Sequence, residues 1–178
     1  MRRTLAGGFE LDDDPARIDV DAVHAFISKR SYWGRGRPRE LQERAIRGSA
    51  RVLGLYLGGE QVGFARAICD GATVGYLADV YVLEQYRGRG LGLELVREMV
   101  DGGAGGISSE VRWLLHTSDA QRLYAKLGFS DGPPMYPMME RGRRHPATST
   151  AAGEGGPAPA AEGVERRTAR GRSSLRRP

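Results

Sequence analysis

Two periods of apolar and polar residues run along the first 140 positions of the chain, and they predict ten secondary-structure elements. Apolar spacings of three and four residues are typical of helices, whereas β-branched and aromatic runs bounded by glycine are typical of strands. The predicted elements, in chain order, are a strand at 8–11, helices at 19–29 and 38–48, strands at 52–57, 61–68 and 76–82, a helix at 91–100, a strand at 111–116, a helix at 118–127 and a strand at 135–139. The order β-α-α-β-β-β-α-β-α-β indicates an α/β protein with a mixed, mostly antiparallel sheet.

Local signals fix several boundaries of these elements. Gly58-Gly59 between two strands is a strong signal for a two-residue hairpin turn. Ser118 and Gln121 have the spacing of a capping box at the start of the last helix, and Gly128 is expected to end that helix. The apolar positions of the helix at 38–48 are Leu41, Ala45 and Ile46.

The charge of the chain is unevenly distributed. Residues 141–178 hold nine arginines and three glutamates, a net charge of +6, whereas the whole chain carries +5, which leaves −1 for residues 1–140. Because residues 141–178 contain almost no large apolar side chain, we expect a disordered tail after a folded domain at 1–140. The tail could bind nucleic acid or an acidic partner. A solvated extension is the simpler interpretation, since no aromatic residue interleaves its arginines.

Several classes of protein are excluded by the same composition. No apolar run is long enough to span a bilayer, and the N-terminus lacks the apolar segment of a signal peptide, so we expect no membrane association. Cys69 is the single cysteine, which excludes an internal disulfide and is typical of a cytoplasmic protein. The three histidines are scattered, so we expect no metal site. No apolar patch distinguishes a monomer from a homodimer.

The segment from Tyr76 to Val100 is predicted to be a strand, a glycine-rich turn and a helix. Three glycines occupy alternate positions in the turn and let a ligand approach the backbone closely. The free N–H groups and the positive dipole end of the following helix form an anion site, typically for phosphate. Leu93 stands where a dinucleotide-binding turn needs its third glycine, and the chain contains no P-loop pattern, so the phosphate belongs to another kind of ligand.

The pattern Gln85-x-x-Gly88-x-Gly90 after a strand resembles motif A of the GNAT superfamily of acetyl-CoA-dependent N-acetyltransferases. The resemblance implies that acetyl-CoA is the co-substrate, with its pyrophosphate on the turn and its pantetheine arm along the preceding strand. The residues that would bind it are Val80, Tyr81, Val82, Gln85, Arg87, Gly88, Arg89, Gly90, Leu91, Gly92 and Ser118. Ser118 stands where many members have an asparagine, and it could equally be an ordinary helix cap.

A second segment, which contains Ala120, Tyr124, Gly128 and Phe129, resembles motif B of the same superfamily. The order of the elements over 8–140 also resembles the GNAT order. Together these features imply the GNAT acyl-CoA N-acyltransferase fold, in which two central strands splay apart and leave a gap for the thioester.

The resemblance assigns catalytic roles to two side chains. Tyr124 matches the motif B tyrosine, which in many members donates a proton to the departing CoA thiolate; its alternative role is core packing. Asp79 is the candidate base for the acceptor amine, directly or through water. Asp79 could instead pair with Arg66 or cap a backbone group, and an ordered water chain could then take the proton.

The acceptor is expected to be a primary amine of a small molecule or protein, and the candidate residues for binding it are Tyr32, Trp33 and Arg66. Tyr32 and Trp33 could hold an apolar or cationic group, although Trp33 could equally fill a hydrophobic gap. His116 could line the acceptor side, but a histidine at a strand end is more often structural. The alternative function is a non-catalytic acetyl-CoA-binding module whose basic tail binds a partner.

Overall fold

The computed structural model of the protein describes residues 1–101, 107 and 110–130. The strands in these residues form one sheet in sequential order. They are β1 (Arg2–Thr4), β2 (Phe9–Asp12), β3 (Arg51–Leu57), β4 (Glu60–Cys69), β5 (Val74–Val82) and β6 (Arg112–Leu114). All neighbouring pairs are antiparallel except β5 and β6, which are parallel. This mixed, mostly antiparallel sheet confirms the predicted fold class.

Helices cover both faces of the sheet. They are α1 (Val20–Arg30), α2 (Arg39–Arg47), α3 (Leu91–Asp101) and α4 (Gln121–Ala125). On one face, the apolar sides of α1 and α2 pack against β3, β4 and β5, where the Phe26 ring stacks on Tyr81 with centroids 3.9 Å apart. On the other face, Leu91 and Leu95 of α3 are buried in a second apolar cluster. Burial of these two clusters fixes which side of β5 each side chain faces.

Local sequence signals that relied on backbone geometry are confirmed. Gly58 and Gly59 both have positive φ, 58° and 91°, between strands that pair from Leu57 to Glu60. Asp19, an aspartate at the predicted start of the helix at 19–29 and so a typical capping residue, caps α1 by accepting a hydrogen bond from the N–H of Ala22. Gly128, with φ of 83°, follows α4 as predicted. Each of these positions needs a conformation or a side-chain acceptor that few other residues provide.

Two predictions about the elements are wrong, and one helix face differs from its apolar pattern. A strand, β1, precedes the predicted first strand and pairs with it. The apolar Leu41 of α2 is 50% exposed, whereas the neighbouring Gln42 is completely buried. The predicted capping box at Ser118 does not form: the hydroxyl of Thr117 accepts a hydrogen bond from the N–H of Ala120 at 3.0 Å, and α4 begins at Gln121. Contacts with residues distant in sequence determine the pairing of β1 and the buried face of α2. The start of α4 is determined by the hydroxyl of Thr117, one residue before Ser118.

Two predicted segments cannot be compared with the structure. The last strand at 135–139 and the tail at 141–178 lie outside the described residues, so both stay predictions. In the part of the chain that is described, no helix has the length and the apolar character needed to cross a membrane.

The sheet parts between β5 and β6. Only Val74, Gly75 and Tyr76 of β5 pair with β6, so the rest of β5 has no strand beside that edge among the described residues. Gly75 permits the pairing, because a Cβ at this position would lie 2.7 Å from the Trp113 ring. On the opposite edge, the register with β4 shifts between Phe64 and Arg66. The predicted splay of central strands is therefore present, and it opens a cleft beside β5.

Candidate functional site

A cleft of about 1090 Å³ opens beside the unpaired half of β5. Its walls come from β5, the glycine-rich turn, the start of α3, helix α4 and the loop between α1 and α2. The cleft therefore collects residues from both faces of the sheet, which only a gap between neighbouring strands allows.

The glycine-rich turn presents a row of free amides to this cleft. Gly88 and Gly90 have φ of 77° and 79°, and a Cβ built on either would meet nothing within 4 Å. Among the described residues, the N–H groups of 88–92 donate no hydrogen bond, and α3 begins within this row. Free amides at a helix N-terminus attract an anion, and an open approach to glycine backbone allows a bulky one such as a pyrophosphate.

The third glycine of the turn has a different role. A Cβ on Gly92 would lie 3.1 Å from Leu123, so this glycine permits α3 to pack closely against the segment that contains α4. Arg87 directs its Nε to the carbonyl of Val82 at 3.0 Å and thereby ties the turn to the end of β5. Gln85 and Arg89 do not line the cleft, although the N–H of Arg89 is one of the free amides at 88–92. Their predicted binding roles stay predictions.

The edge of β5 lines the middle of the cleft with Val80, Tyr81 and Val82. The Tyr81 ring is turned to the α1 face, where it stacks on Phe26, and burial raises its pKa above the usual tyrosine value. Because Tyr81 pairs with Phe64 of β4, its backbone groups also point away from the open edge, and the backbone of Val80 and Val82 is what β5 presents to a ligand there. An extended ligand with amide groups matches such an edge.

Tyr124 on α4 lies on the opposite wall. Its side chain is buried against Phe129, with ring centroids 5.7 Å apart in an edge-to-face arrangement. Burial, with a smaller contribution from Tyr32 and Asp119, raises the pKa of its hydroxyl to about 12. Within the described chain the hydroxyl has no hydrogen-bond partner, and the residue lines the cleft. The phenol stays protonated at neutral pH and can donate to a ligand.

Asp79 is held by four side chains from three parts of the fold: strand β4, helix α2 and the loop between α1 and α2. Its Oδ2 accepts from Arg66 at 2.7 Å, from Arg37 at 2.7 Å and from Gln42 at 3.2 Å, and its Oδ1 accepts from Trp33 at 3.2 Å. The residue has φ of 53°, the one positive value outside glycine among the described residues, at the irregularity where β4 and β5 change register.

These contacts favour the ion-pair alternative for Asp79. Burial opposes ionisation of its carboxyl, but the charges and hydrogen bonds of Arg66 and Arg37 outweigh burial and hold its pKa below the usual aspartate value. A carboxylate with a lowered pKa and four donors is a weak base. The geometry thus gives Asp79 a positioning role rather than a proton-accepting one.

Two of the predicted acceptor residues, Tyr32 and Trp33, line the cleft from the loop between α1 and α2, whereas Arg66 lines it from the buried ion pair with Asp79. Tyr32 and Trp33 meet edge to face with centroids 4.9 Å apart, and Tyr32 is 46% exposed. The Tyr32 hydroxyl accepts a hydrogen bond at 2.8 Å from the N–H of Ser118, which connects the α1–α2 loop to the segment before α4. His116 also lines the cleft, and its Nδ1 is 2.8 Å from the hydroxyl of Tyr76.

Two residues of the site were missed by sequence reasoning. Arg37 lies in a loop where several arginines look equivalent, and nothing local separates it from the others. Gln42 offers a signal, because it lies four residues before the buried Ile46 and so occupies the inward face of α2. A buried amide at such a position must satisfy its hydrogen bonds, and here it does so with Arg37 and Asp79.

Comparisons with known proteins agree with this geometry. Residues 48–131 match the model of the acetyltransferase (GNAT) domain. The chain is 34% identical over 148 residues to a protein of Gibberella zeae named "Putative acetyltransferase FG08082", with 70% of this chain and 81% of that protein covered.

Solved structures give the same result. A crystal structure from Xanthomonas campestris pv. campestris, described as belonging to the GNAT family, is 34% identical, has a TM-score of 0.69 and covers 80% of this chain and 97% of its own. A Staphylococcus aureus structure is 24% identical with a TM-score of 0.59, covers 75% of this chain and 98% of its own, and shares the fold.

Proposed function

We propose that this chain, which belongs to the GNAT family of acetyltransferases, transfers the acetyl group of acetyl-CoA to a primary amine. The observation that carries the proposal is the row of free amides at 88–92 that opens into a cleft beside an unpaired strand edge. Anion binding and extended-amide binding are thus side by side, as an acetyl-CoA molecule requires.

The residues of the cleft fit acetyl-CoA in two ways. The open space above Gly88 and Gly90 leaves room for a pyrophosphate against the free N–H groups, and the N-terminus of α3 adds favourable dipole charge. The backbone of Val80 and Val82 can hydrogen-bond the pantetheine amides in place of a neighbouring strand. A β5 N–H pointed at the thioester oxygen would stabilise its developing negative charge by about 3 kcal/mol.

The acceptor amine must lose a proton before it can attack the thioester, because a lysine-type amine has a pKa of about 10.4. Asp79 is poorly suited to take this proton, because its pKa is lowered and its carboxylate accepts four hydrogen bonds. We assign the proton to ordered water or to His116, which lines the cleft and whose Nε2 is left as an acceptor when Nδ1–H is donated to Tyr76.

Tyr124 supports the departing thiolate by a hydrogen bond rather than by complete proton transfer. Its pKa of about 12 exceeds that of a thiol, about 8.5, so full transfer would cost roughly 5 kcal/mol. A charge-assisted hydrogen bond from the neutral phenol requires no such transfer. The largely buried setting of Tyr124 favours that bond, because a hydrogen bond is stronger where the local dielectric constant is low.

The proposal is tested by incubating the full chain with acetyl-CoA and a library of primary amines. The expected result is release of free thiol together with an N-acetylated product identified by mass spectrometry. Binding of acetyl-CoA without thiol release from any amine would instead support the second candidate, a non-catalytic acetyl-CoA-binding module. Failure to bind acetyl-CoA at all would contradict both candidates.

A further inference from the structure

The α1–α2 side of the cleft carries more positive than negative charge. Arg37 and Arg66 donate to the same oxygen of Asp79, and the side chains of Arg66 and Asp79 are only 10% and 2% exposed. Gln42, which completes the cluster, is neutral. Two guanidinium groups and one carboxylate leave an excess of one positive charge in a largely buried cluster, which is unfavourable unless another group compensates it.

Arg66 has hydrogen-bonding capacity left toward the cleft. Its Nε is used on Asp79, while its two Nη groups have no acceptor among the described residues. Neither Nη atom is sealed away from solvent, and Arg66 lines the cleft, so the free N–H groups face the space where a ligand would lie. A pair of guanidinium Nη groups in one plane matches the oxygens of a carboxylate or a phosphate.

Asp79 offers no comparable capacity to a cation. Its Oδ2 already accepts three hydrogen bonds and its Oδ1 accepts one, so an ammonium group that entered the cluster could reach only the remaining lone pair of Oδ1 and would lie beside two arginines. An oxyanion would satisfy the remaining donors of Arg66 and compensate the excess charge. The cluster therefore selects for negative charge on whatever enters this side of the cleft.

From this geometry we infer that the acceptor amine also carries an oxyanion, a carboxylate or a phosphate, which binds to Arg66 beside Arg37. The inference rests on the proposed acetyl transfer and adds the chemical class of its acceptor. Asp79 and Gln42 position the two guanidinium groups. The aromatic pair of the exposed Tyr32 and the half-buried Trp33 also lines the cleft and can contact an apolar part of the acceptor.

The test compares matched amines that differ only in the oxyanion. One pair is L-phenylalanine and 2-phenylethylamine, and the other is O-phosphoethanolamine and ethanolamine, each with the full chain and acetyl-CoA. We expect the anionic member of at least one pair to have a kcat/KM higher by about tenfold or more, as charge-assisted hydrogen bonds to arginine allow. The pair that shows the preference distinguishes a carboxylate from a phosphate.

Variants of Arg66 show whether that residue causes the preference. Arg66→Gln is expected to bring the kcat/KM ratio of the pair close to one, whatever its effect on the absolute kcat/KM of either amine. Should Arg66→Gln fail to fold, Arg66→Lys keeps the charge opposite Asp79 but loses the paired Nη groups, and we expect it to lower the ratio several-fold. Arg44→Gln, at an exposed position of α2 outside the cleft, is the matched control and should leave the ratio unchanged.

Calorimetry with the N-acetylated products of the same amines gives a readout that needs no turnover. Tighter binding of the anionic product by the unmodified chain, and loss of that preference in Arg66→Gln, would support the oxyanion site. This holds even if no amine were acetylated, because absence of acetylation contradicts only the proposed transfer. Acetylation of neutral and anionic amines with equal kcat/KM, together with equal product affinities, would overturn the oxyanion site and leave the transferase intact.

Discussion

At the scale of single residues, the hydroxyl of Tyr124 distinguishes a catalytic role of this residue from a packing role. Its ring is buried against Phe129 in either role, so burial alone does not decide between them. What distinguishes the two roles is that the hydroxyl is not sealed in the core: it has no hydrogen-bond partner among the described residues, and the residue lines the cleft. The hydroxyl is therefore free to donate a hydrogen bond to a ligand atom in the cleft.

Replacing Tyr124 by phenylalanine should therefore lower kcat without weakening acetyl-CoA binding. We expect a reduction of about 10- to 100-fold, the size of one charge-assisted hydrogen bond, with an unchanged dissociation constant from calorimetry. Tyr56→Phe is the matched control: its hydroxyl donates to the carbonyl of Arg17 at 2.9 Å, away from the cleft, so the change should lower stability by about 1 kcal/mol and leave kcat intact. Equal kcat values for Tyr124→Phe and the unmodified chain would remove the hydroxyl from the mechanism.

At the scale of elements, sequence reasoning succeeded where a boundary depends on one residue's backbone. The turn at Gly58-Gly59 and the start of α3 after the glycines could both be predicted, since few residues adopt positive φ. It failed for β1, whose three residues carry no apolar alternation, and for the start of α4, where Thr117 and Ser118 offer similar hydroxyls. The pair of Asp79 with Arg66 was among the alternatives that the sequence offered, whereas its contacts with Gln42, Arg37 and Trp33 could not be predicted, because these partners lie 37 to 46 positions away in the chain.

Alanine substitutions in two turns distinguish the effect of backbone strain on stability from the effect on acetyl-CoA binding. Gly90→Ala places a Cβ in the open approach to the free amides, so we expect acetyl-CoA affinity to fall by about tenfold or more while the fold persists. The positive φ costs about 1 kcal/mol of stability as well. Gly58→Ala is matched to it, because Gly58 also has a positive φ and open space around its Cβ but lies in the β3–β4 hairpin. Both variants should lose similar stability, and only Gly90→Ala should lose affinity; equal affinities would place the pyrophosphate elsewhere.

At the scale of the whole molecule, one buried cluster joins the helical layer on one face to the sheet. Asp79 on β5 binds Arg66 of β4, Gln42 of α2, and Trp33 and Arg37 of the loop between α1 and α2. The same cluster forms one side of the cleft, so the stability of the fold and the charge of the site depend on the same carboxylate.

Asp79→Asn should consequently destabilise the whole domain in a pH-dependent way. The asparagine tolerates the positive φ but leaves two guanidinium groups without their carboxylate, so we expect a loss of about 3 kcal/mol in the free energy of unfolding at pH 7. Because the folded-state pKa of Asp79 is lowered, its stabilisation is present above the unfolded-state pKa of about 3.9 and disappears as the pH falls through the folded-state pKa. The difference between the two chains should therefore shrink as the pH falls from 5 toward 3, as measured by urea unfolding. Asp21→Asn, which removes an exposed partner of Arg39, is the control and should show little change. A difference that stayed constant over this range would mean that the Asp79 carboxylate is not linked to folding through its charge.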